Sequence, residues 1–215
     1  MECYYVEAGI GEGFENTMEL KPMKYKEAIN GQGGKAWEKE IENGHERIVK
    51  NGTWEPVKKS LLPKGTKIID STWVCKEKST RKLCGCLNAH GLKQVEGVQY
   101  DGTSTHDPFT NAGTIQILLI LMITANWQGQ IVDVKGAFLH GGFEDGEVIY
   151  MKLPHGFEKF YPDEMVLKLK KCIYGLKQAT MTFWHQILLY MKSIGMAQNT
   201  ADSCLYHKWG KKDWS

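Results

Sequence analysis

The longest apolar stretch of the chain, residues 115–125, restricts its folding options before any other feature does. It is interrupted by Gln116 and Thr124 and falls well short of the roughly 20 residues that a membrane-spanning helix needs. The reading is therefore a buried helix, and the rest of the chain must supply the layers that cover it. A chain of 215 residues, 42% apolar and 24% charged, is large enough for one sizeable core or two small ones, and disorder is excluded as its main state. Residues 1–20 carry Glu2, Glu7, Glu12, Glu15 and Glu19 and no basic residue. They have neither the basic start nor the apolar run of a signal peptide, so the expectation is an intracellular protein with no membrane partner.

The net charge of +2 gives no global electrostatic case for binding a polyanion, so any such surface must be local. Residues 50–82 form the one basic block, with nine Lys/Arg against Glu55, Asp70 and Glu77. Residues 1–46 are acidic, and residues 94–150 carry seven Asp/Glu against Lys135 alone. Charge pattern by itself leaves two readings of the cations at 76–82 open, a solvated hairpin tip and a surface facing phosphates. The six cysteines are scattered through a chain expected to carry no leader, which suits reduced thiols better than a disulfide framework. Cys84, Cys86 and His90 lie close together, but C-x-C is too short for a structural zinc pair and no second pair follows, so zinc is not expected.

Periodicity predicts a helix from about Lys35, with Trp37, Ile41 and Ile48 on one stripe, stopped at Asn51-Gly52. Residues 53–57 and 68–76 read as strands of a hairpin around the Pro63-Lys64-Gly65 turn. A helix over 114–125 and short strands over 130–134, 147–153 and 166–169 follow. A long helix then presents Phe183, Trp184, Ile187, Leu188, Met191 and Ile194 on one broad face before Gly195. The tryptophans 37, 54, 73 and 184 read as core. This succession is an α+β layout.

The segment richest in chemistry is 131–141, Ile-Val-Asp-Val-Lys-Gly-Ala-Phe-Leu-His-Gly. A carboxylate between two valines on a buried-type strand needs a partner, because an unpaired buried charge costs several kcal/mol. A metal ion would supply one; so would a nearby lysine, or a solvent-facing position. Gly136-Ala137 leaves backbone N–H groups unobstructed for phosphate oxygens, and Phe138 follows directly.

Around these residues the chain resembles the copia-type retrotransposon reverse transcriptase domain. The resemblance runs through Asn51-Gly52-Thr53-Trp54, Trp73-Val74-Cys75-Lys76-Glu77-Lys78, and Leu87-Asn88-Ala89-His90-Gly91 with Gln94 and Gly97. It continues through 133–141, Val148-Ile149-Tyr150-Met151 with Pro154, Gly156 and Phe157, Tyr174-Gly175-Leu176-Lys177-Gln178-Ala179, and Asp202 with Leu205-Tyr206. It implies the fingers and part of the palm of a right-hand polymerase, with the thumb absent. Residues 1–22 would be an acidic tail, fingers would comprise 23–108 and 141–178, palm 109–140 and 179–207, and 208–215 a C-terminal tail.

The implied activity is RNA-directed DNA polymerisation with two Mg²⁺ ions, on an RNA template, a DNA primer and dNTP, in the cytoplasmic retrotransposon particle. By the same resemblance Asp133 is the catalytic metal ligand, and Val134, Gly136, Ala137, Phe138, Tyr174, Gly175, Lys76 and Lys78 bind the nucleotide. Phe138 would exclude a 2′-hydroxyl by bulk; the other reading of it is a core residue under a turn. Two departures stand out. No Asp-Asp pair follows Asp133, and Cys84, Cys86 and His90 occupy positions where related members carry Lys/Arg. Single transitions turn CG-starting Arg codons into Cys or His codons, so the cluster reads as mutational decay. The expectation is a copy inert by itself, the alternative a non-catalytic nucleic-acid-binding pseudo-polymerase.

Overall fold

Glycine and asparagine punctuate the chain into short elements. The computed structural model describes residues 3–5, 22–77, 81–102, 109–134, 136–143 and 147–208, with backbone alone at 3–5 and 133. In chain order these residues form strand β1 (Cys3–Tyr5), helices α1 (Tyr25–Asn30) and α2 (Gly34–Lys50), and strands β2 (Trp54–Lys58), β3 (Ile68–Ile69), β4 (Ser71–Glu77) and β5 (Leu83–Ala89). Helix α3 (Ala112–Thr124), strands β6 (Val132–Val134), β7 (Tyr150–Lys152) and β8 (Met165–Leu169), helix α4 (Ala179–Ser193) and strands β9 (Ala197–Gln198) and β10 (Tyr206–His207) complete the set. The mixture is α+β, as the sequence implies.

Helix α2 forms where its periodicity predicts, and it buries Trp37, Ile41, Gly44 and Ile48 on one stripe. Arg47 and Lys50 in its last turn complement the negative end of the helix dipole. Asn51 closes it by donating to the Arg47 carbonyl from both its backbone N and its Nδ2, and Gly52 turns the chain away at φ +61°. Gly44 packs closely, since a Cβ there would lie 3.3 Å from the Trp73 ring and the ring would have to give by a few tenths of an ångström.

The stripe packs on a core that a four-stranded sheet, in the order β2-β8-β7-β3, shares with the β4–β5 hairpin. Trp54, Ile69, Trp73, Ile149, Met151, Phe157, Leu167 and Leu169 are buried there, with the Trp73 and Phe157 rings edge to face at 5.5 Å. The indole nitrogens keep partners: Trp73 Nε1 donates to the His155 carbonyl at 2.9 Å and Trp54 Nε1 to Tyr161 Oη at 3.0 Å. Trp37, Trp54 and Trp73 are thus core residues as read, while Trp184 is only half-buried.

The pairing corrects one expectation. Residues 53–57 and 68–76 do not form a hairpin; β2 runs antiparallel to β8, β3 runs parallel to β7, and Asp70 separates β3 from β4. A local turn signal such as Pro63-Lys64-Gly65 reverses the chain without specifying which strand lies alongside. The hairpin is instead β4–β5, paired from Ser71↔Ala89 to Glu77↔Leu83. Its second strand, Leu-Cys-Gly-Cys-Leu-Asn-Ala, carries no β-branched or aromatic residue and so escapes a propensity-based reading.

Helix α3 also departs from expectation. It is well terminated: Asn111 Oδ1 accepts from Gly113 N at 2.8 Å, and Asp202 Oδ2 accepts from Asn111 N at 2.9 Å. Hydrogen bonds from Thr114, Asn111 and Cys204 hold the Asp202 carboxyl below the ordinary carboxylate range. Yet no residue of α3 is buried, and Ile117, Ile120 and Ile123 are 59%, 59% and 81% exposed. The buried-helix reading is corrected accordingly: apolar composition sets a need for cover but does not provide the covering layer, and the described residues bury none of the side chains of this helix. The buried-type reading of the Asp133 strand is corrected for the same reason, because Ile131 and Val132 are exposed.

Asp70 ties three segments together. Lys152 Nζ on β7 lies 2.8 Å from its Oδ1, Lys93 reaches Oδ2, and its carbonyl accepts from His90 N at 2.9 Å. The Lys152 hydrogen bond, then that of Lys93, lowers its pKa to about 2. A depressed carboxylate stabilises the fold above its unfolded pKa, and that contribution fades as pH falls from roughly 4 toward the folded value. Asp70→Asn is expected to lower unfolding free energy at pH 7 by about 1 kcal/mol, allowing for solvent screening. Urea unfolding across the acid range should show the gap between variant and parent narrowing from pH 5 to pH 2.

Candidate active site

The segment after β6 turns sharply because Gly136 takes up the left-handed conformation (φ 64°, ψ 36°) that opens a 3-10 turn over Ala137–His140. Leu139 N donates to the Gly136 carbonyl at 2.8 Å, which closes the turn. Gly141 then meets α4 so closely that a Cβ would lie 2.7 Å from Thr182 Cγ2, and its carbonyl accepts from Cys172 N at 2.9 Å. These contacts seat the half-buried Phe138 ring edge-on to Tyr174 at 4.6 Å and to Phe183 at 6.0 Å. Phe138 and Tyr174, far apart in sequence, are thereby brought into contact. Val134, Gly136 and Ala137 all lie on this stretch; Asp133 is placed by its backbone at the centre of β6.

The Tyr174-Gly175 loop is fastened to the end of β5. Ala89 N donates to the Tyr174 carbonyl at 2.7 Å and Gly91 N to the Gly175 carbonyl at 3.1 Å. Both glycines are required. Gly175 sits at φ +88°, where a Cβ would lie 2.2 Å from the Ala89 carbonyl oxygen, and a Cβ on Gly91 would lie 2.1 Å from the Gly175 carbonyl oxygen.

Lys76 is not brought to the same place. It is exposed and pairs with Cys84, five steps along β4 from Ser71↔Ala89, or about 17 Å from the fastened end at strand spacing. Lys78 lies outside the described residues. Cys84 and Cys86 sit two apart on β5, with Cys86 Sγ 3.3 Å from Asn88 Oδ1, and burial pushes the Cys86 thiol up. Among the described residues no three His, Cys, Asp or Glu side chains are grouped to hold a metal ion.

Sequence reasoning missed a buried amide relay beside the loop. Gln94 Nε2 donates to Gln178 Oε1 at 3.0 Å, while Gln178 Nε2 donates to the Gln99 carbonyl at 3.1 Å and to Glu147 Oε2 at 3.2 Å. Gln94 Oε1 accepts from Lys177 N at 2.9 Å, and Lys177 Nζ donates to Tyr100 Oη at 2.9 Å. Gln178, Thr182 and His185 line a cavity of about 190 Å³ with Gly142 and Glu147. Gln94 and Gln178 stand among the residues that carry the family resemblance, and that was the available signal. A buried primary amide must satisfy both its ends, so it marks a built position.

Comparison with known proteins agrees with the resemblance. A family model described as Reverse transcriptase (RNA-dependent DNA polymerase) matches residues 51–213, from the end of α2 to beyond β10. The chain is 32% identical over 193 residues to a Retrovirus-related Pol polyprotein from transposon TNT 1-94 of Nicotiana tabacum, covering 87% of this chain and 14% of that protein. It is 31% identical over 162 residues to the Retrovirus-related Pol polyprotein from transposon RE2 of Arabidopsis thaliana, and 30% over 161 residues to that from transposon RE1. Each of these covers 73% of this chain and 11% of the relative, so the chain spans only a small part of the length of the curated proteins it matches. No solved structure matches it.

The glycine fastening carries an expected outcome. Gly175→Ala should destabilise the protein by at least about 2 kcal/mol, through left-handed strain and the backbone clash together. Hydrogen exchange should rise first at the Ala89 and Gly91 amides that the loop carbonyls protect.

Proposed function

The chain belongs to the reverse transcriptase (RNA-dependent DNA polymerase) family, and on that premise we propose that it works as the fingers and part of the palm of a copia-type polymerase. Fingers would comprise residues 23–108 and 141–178, and palm 109–140 and 179–207. Its partners would be an RNA template, a DNA primer and dNTP, inside a cytoplasmic retrotransposon particle. No helix among the described residues is long and apolar enough to cross a membrane. The observation that carries the reading is the edge-on contact of Phe138 with Tyr174, which builds one wall from two separate motif segments.

The donor types that β6 offers suit Mg²⁺ in kind. The Asp133 carboxylate and Val134 carbonyl are hard oxygen donors from consecutive residues of β6, although they fill only part of an octahedral shell. When bound, Mg²⁺ supplies charge neutralisation at the attacking and leaving oxygens of phosphoryl transfer. The protein's own residues do the rest. Backbone N–H groups at Gly136 and Ala137 receive phosphate oxygens, since the N–H groups that open such a turn have no partner within it. The Phe138 ring, braced by Tyr174 and Phe183, blocks a 2′-hydroxyl, and the Tyr174-Gly175 loop packs on the nucleotide. Lys76, which stands on β4 away from that wall, and Lys78 would bear on the triphosphate only by long-range attraction.

Two outcomes test this. Mn²⁺ added to isotope-labelled protein should broaden signals around 132–137, and Asp133→Asn should abolish the effect; broadening centred elsewhere and unchanged in the variant would sink the assignment. The 215-residue chain, which holds no Asp-Asp pair after Asp133, is expected not to extend a labelled primer on poly(rA) with Mg²⁺ and dTTP. Extension that Asp133→Asn eliminates would show that the single carboxylate suffices.

A further inference from the structure

Strand β6, which carries Asp133, has one ladder neighbour among the described residues: β1, antiparallel, in the register Cys3↔Val134, Tyr4↔Asp133, Tyr5↔Val132. The family match covers residues 51–213, so β1 lies outside it while its partner lies inside. A segment that lies before the family match therefore occupies one edge of the strand that holds the candidate metal ligand.

An exposed strand edge presents backbone N–H and C=O groups that any extended segment can take. The segment 3–6, Cys-Tyr-Tyr-Val between Glu2 and Glu7, has the aromatic and β-branched types that pair well. A three-residue ladder is short, and an isolated pair of strands is marginal at best, so bound and released forms should exchange. The sixteen residues 6–21 that join β1 to Pro22 reach up to about 53 Å when extended, ample for pairing within one chain.

We propose that this edge of β6 is a strand-docking surface and that the chain's own N-terminal arm, Cys3–Tyr5, is its resident occupant, which must leave before any other strand can pair along the same edge. The docking itself needs only the ladder; its bearing on activity rests on the polymerase reading of Asp133.

The test is backbone hydrogen exchange at 132–134 in three proteins: the intact chain, a chain beginning at Pro22, and the double variant Tyr4→Pro with Tyr5→Pro. Neighbouring residues of an antiparallel strand alternate in which side their N–H faces, so two adjacent prolines remove at least one ladder bond whatever the phase. Exchange should rise at least about tenfold in both altered proteins, with the β4–β5 amides unchanged as the control for folding. A synthetic peptide of residues 1–8 should restore protection to the shortened chain. Equal exchange in all three proteins overturns the proposal, and protection in the intact chain that disappears on dilution overturns the intramolecular occupant in favour of a second copy. Mn²⁺ broadening recorded on the same samples separates the two readings. Its absence beside an intact exchange effect would sink the polymerase site and leave the docking standing; the converse would sink the docking alone.

Discussion

Everything else in the structure hangs on the burial of Trp54, Trp73 and Phe157 between helix α2, the β4–β5 hairpin and the four-stranded sheet. Each ring removes roughly 150–250 Å² from water, which corresponds to about 4–6 kcal/mol per side chain as an upper figure. The geometry is as demanding as the energy is large. Gly44 lets α2 lie close against the Trp73 ring, and each indole nitrogen must find an oxygen at the edge of the cluster. These requirements bring segments from residue 37 to residue 169 into one body.

From that body a series of close backbone approaches positions the candidate site. The β4 strand is fixed by Trp73 and carries β5 as its partner; the end of β5 holds the 174–175 loop through Gly91 and Gly175; the loop presents Tyr174 to Phe138. The amide relay through Gln94 and Gln178 adds satisfied polar contacts behind the loop, where an unsatisfied group would cost about 1–3 kcal/mol. The site is thus held by short-range steric constraints on glycines and by hydrogen bonds with little slack, both of which resist displacement more than apolar contact alone would.

The α3–β6 region follows a different logic. Its helix is apolar and exposed, and its strand pairs with an N-terminal segment rather than with the main sheet. The body around Trp73 accounts for its own apolar surface, whereas among the described residues α3 and β6 leave most of theirs exposed. This asymmetry is why the strand that carries Asp133 is also the strand whose edge another segment can claim.

Local pattern alone determined helix α2, the core tryptophans at 37, 54 and 73, the strand β8, the breaks at Asn51-Gly52 and Tyr174-Gly175, and the family, because each depends on residues near one another in sequence or on linked motifs that survive without knowledge of their contacts. Tertiary structure alone decided that β2 pairs with β8 and β3 with β7, that β5 completes the hairpin, that Gln178 is buried among other amides, and that α3 lies uncovered. The reason is that propensity and periodicity describe what a segment can bury or bond. Which partner it meets is set by competition among distant segments for the same core, and no single stretch of sequence records that outcome.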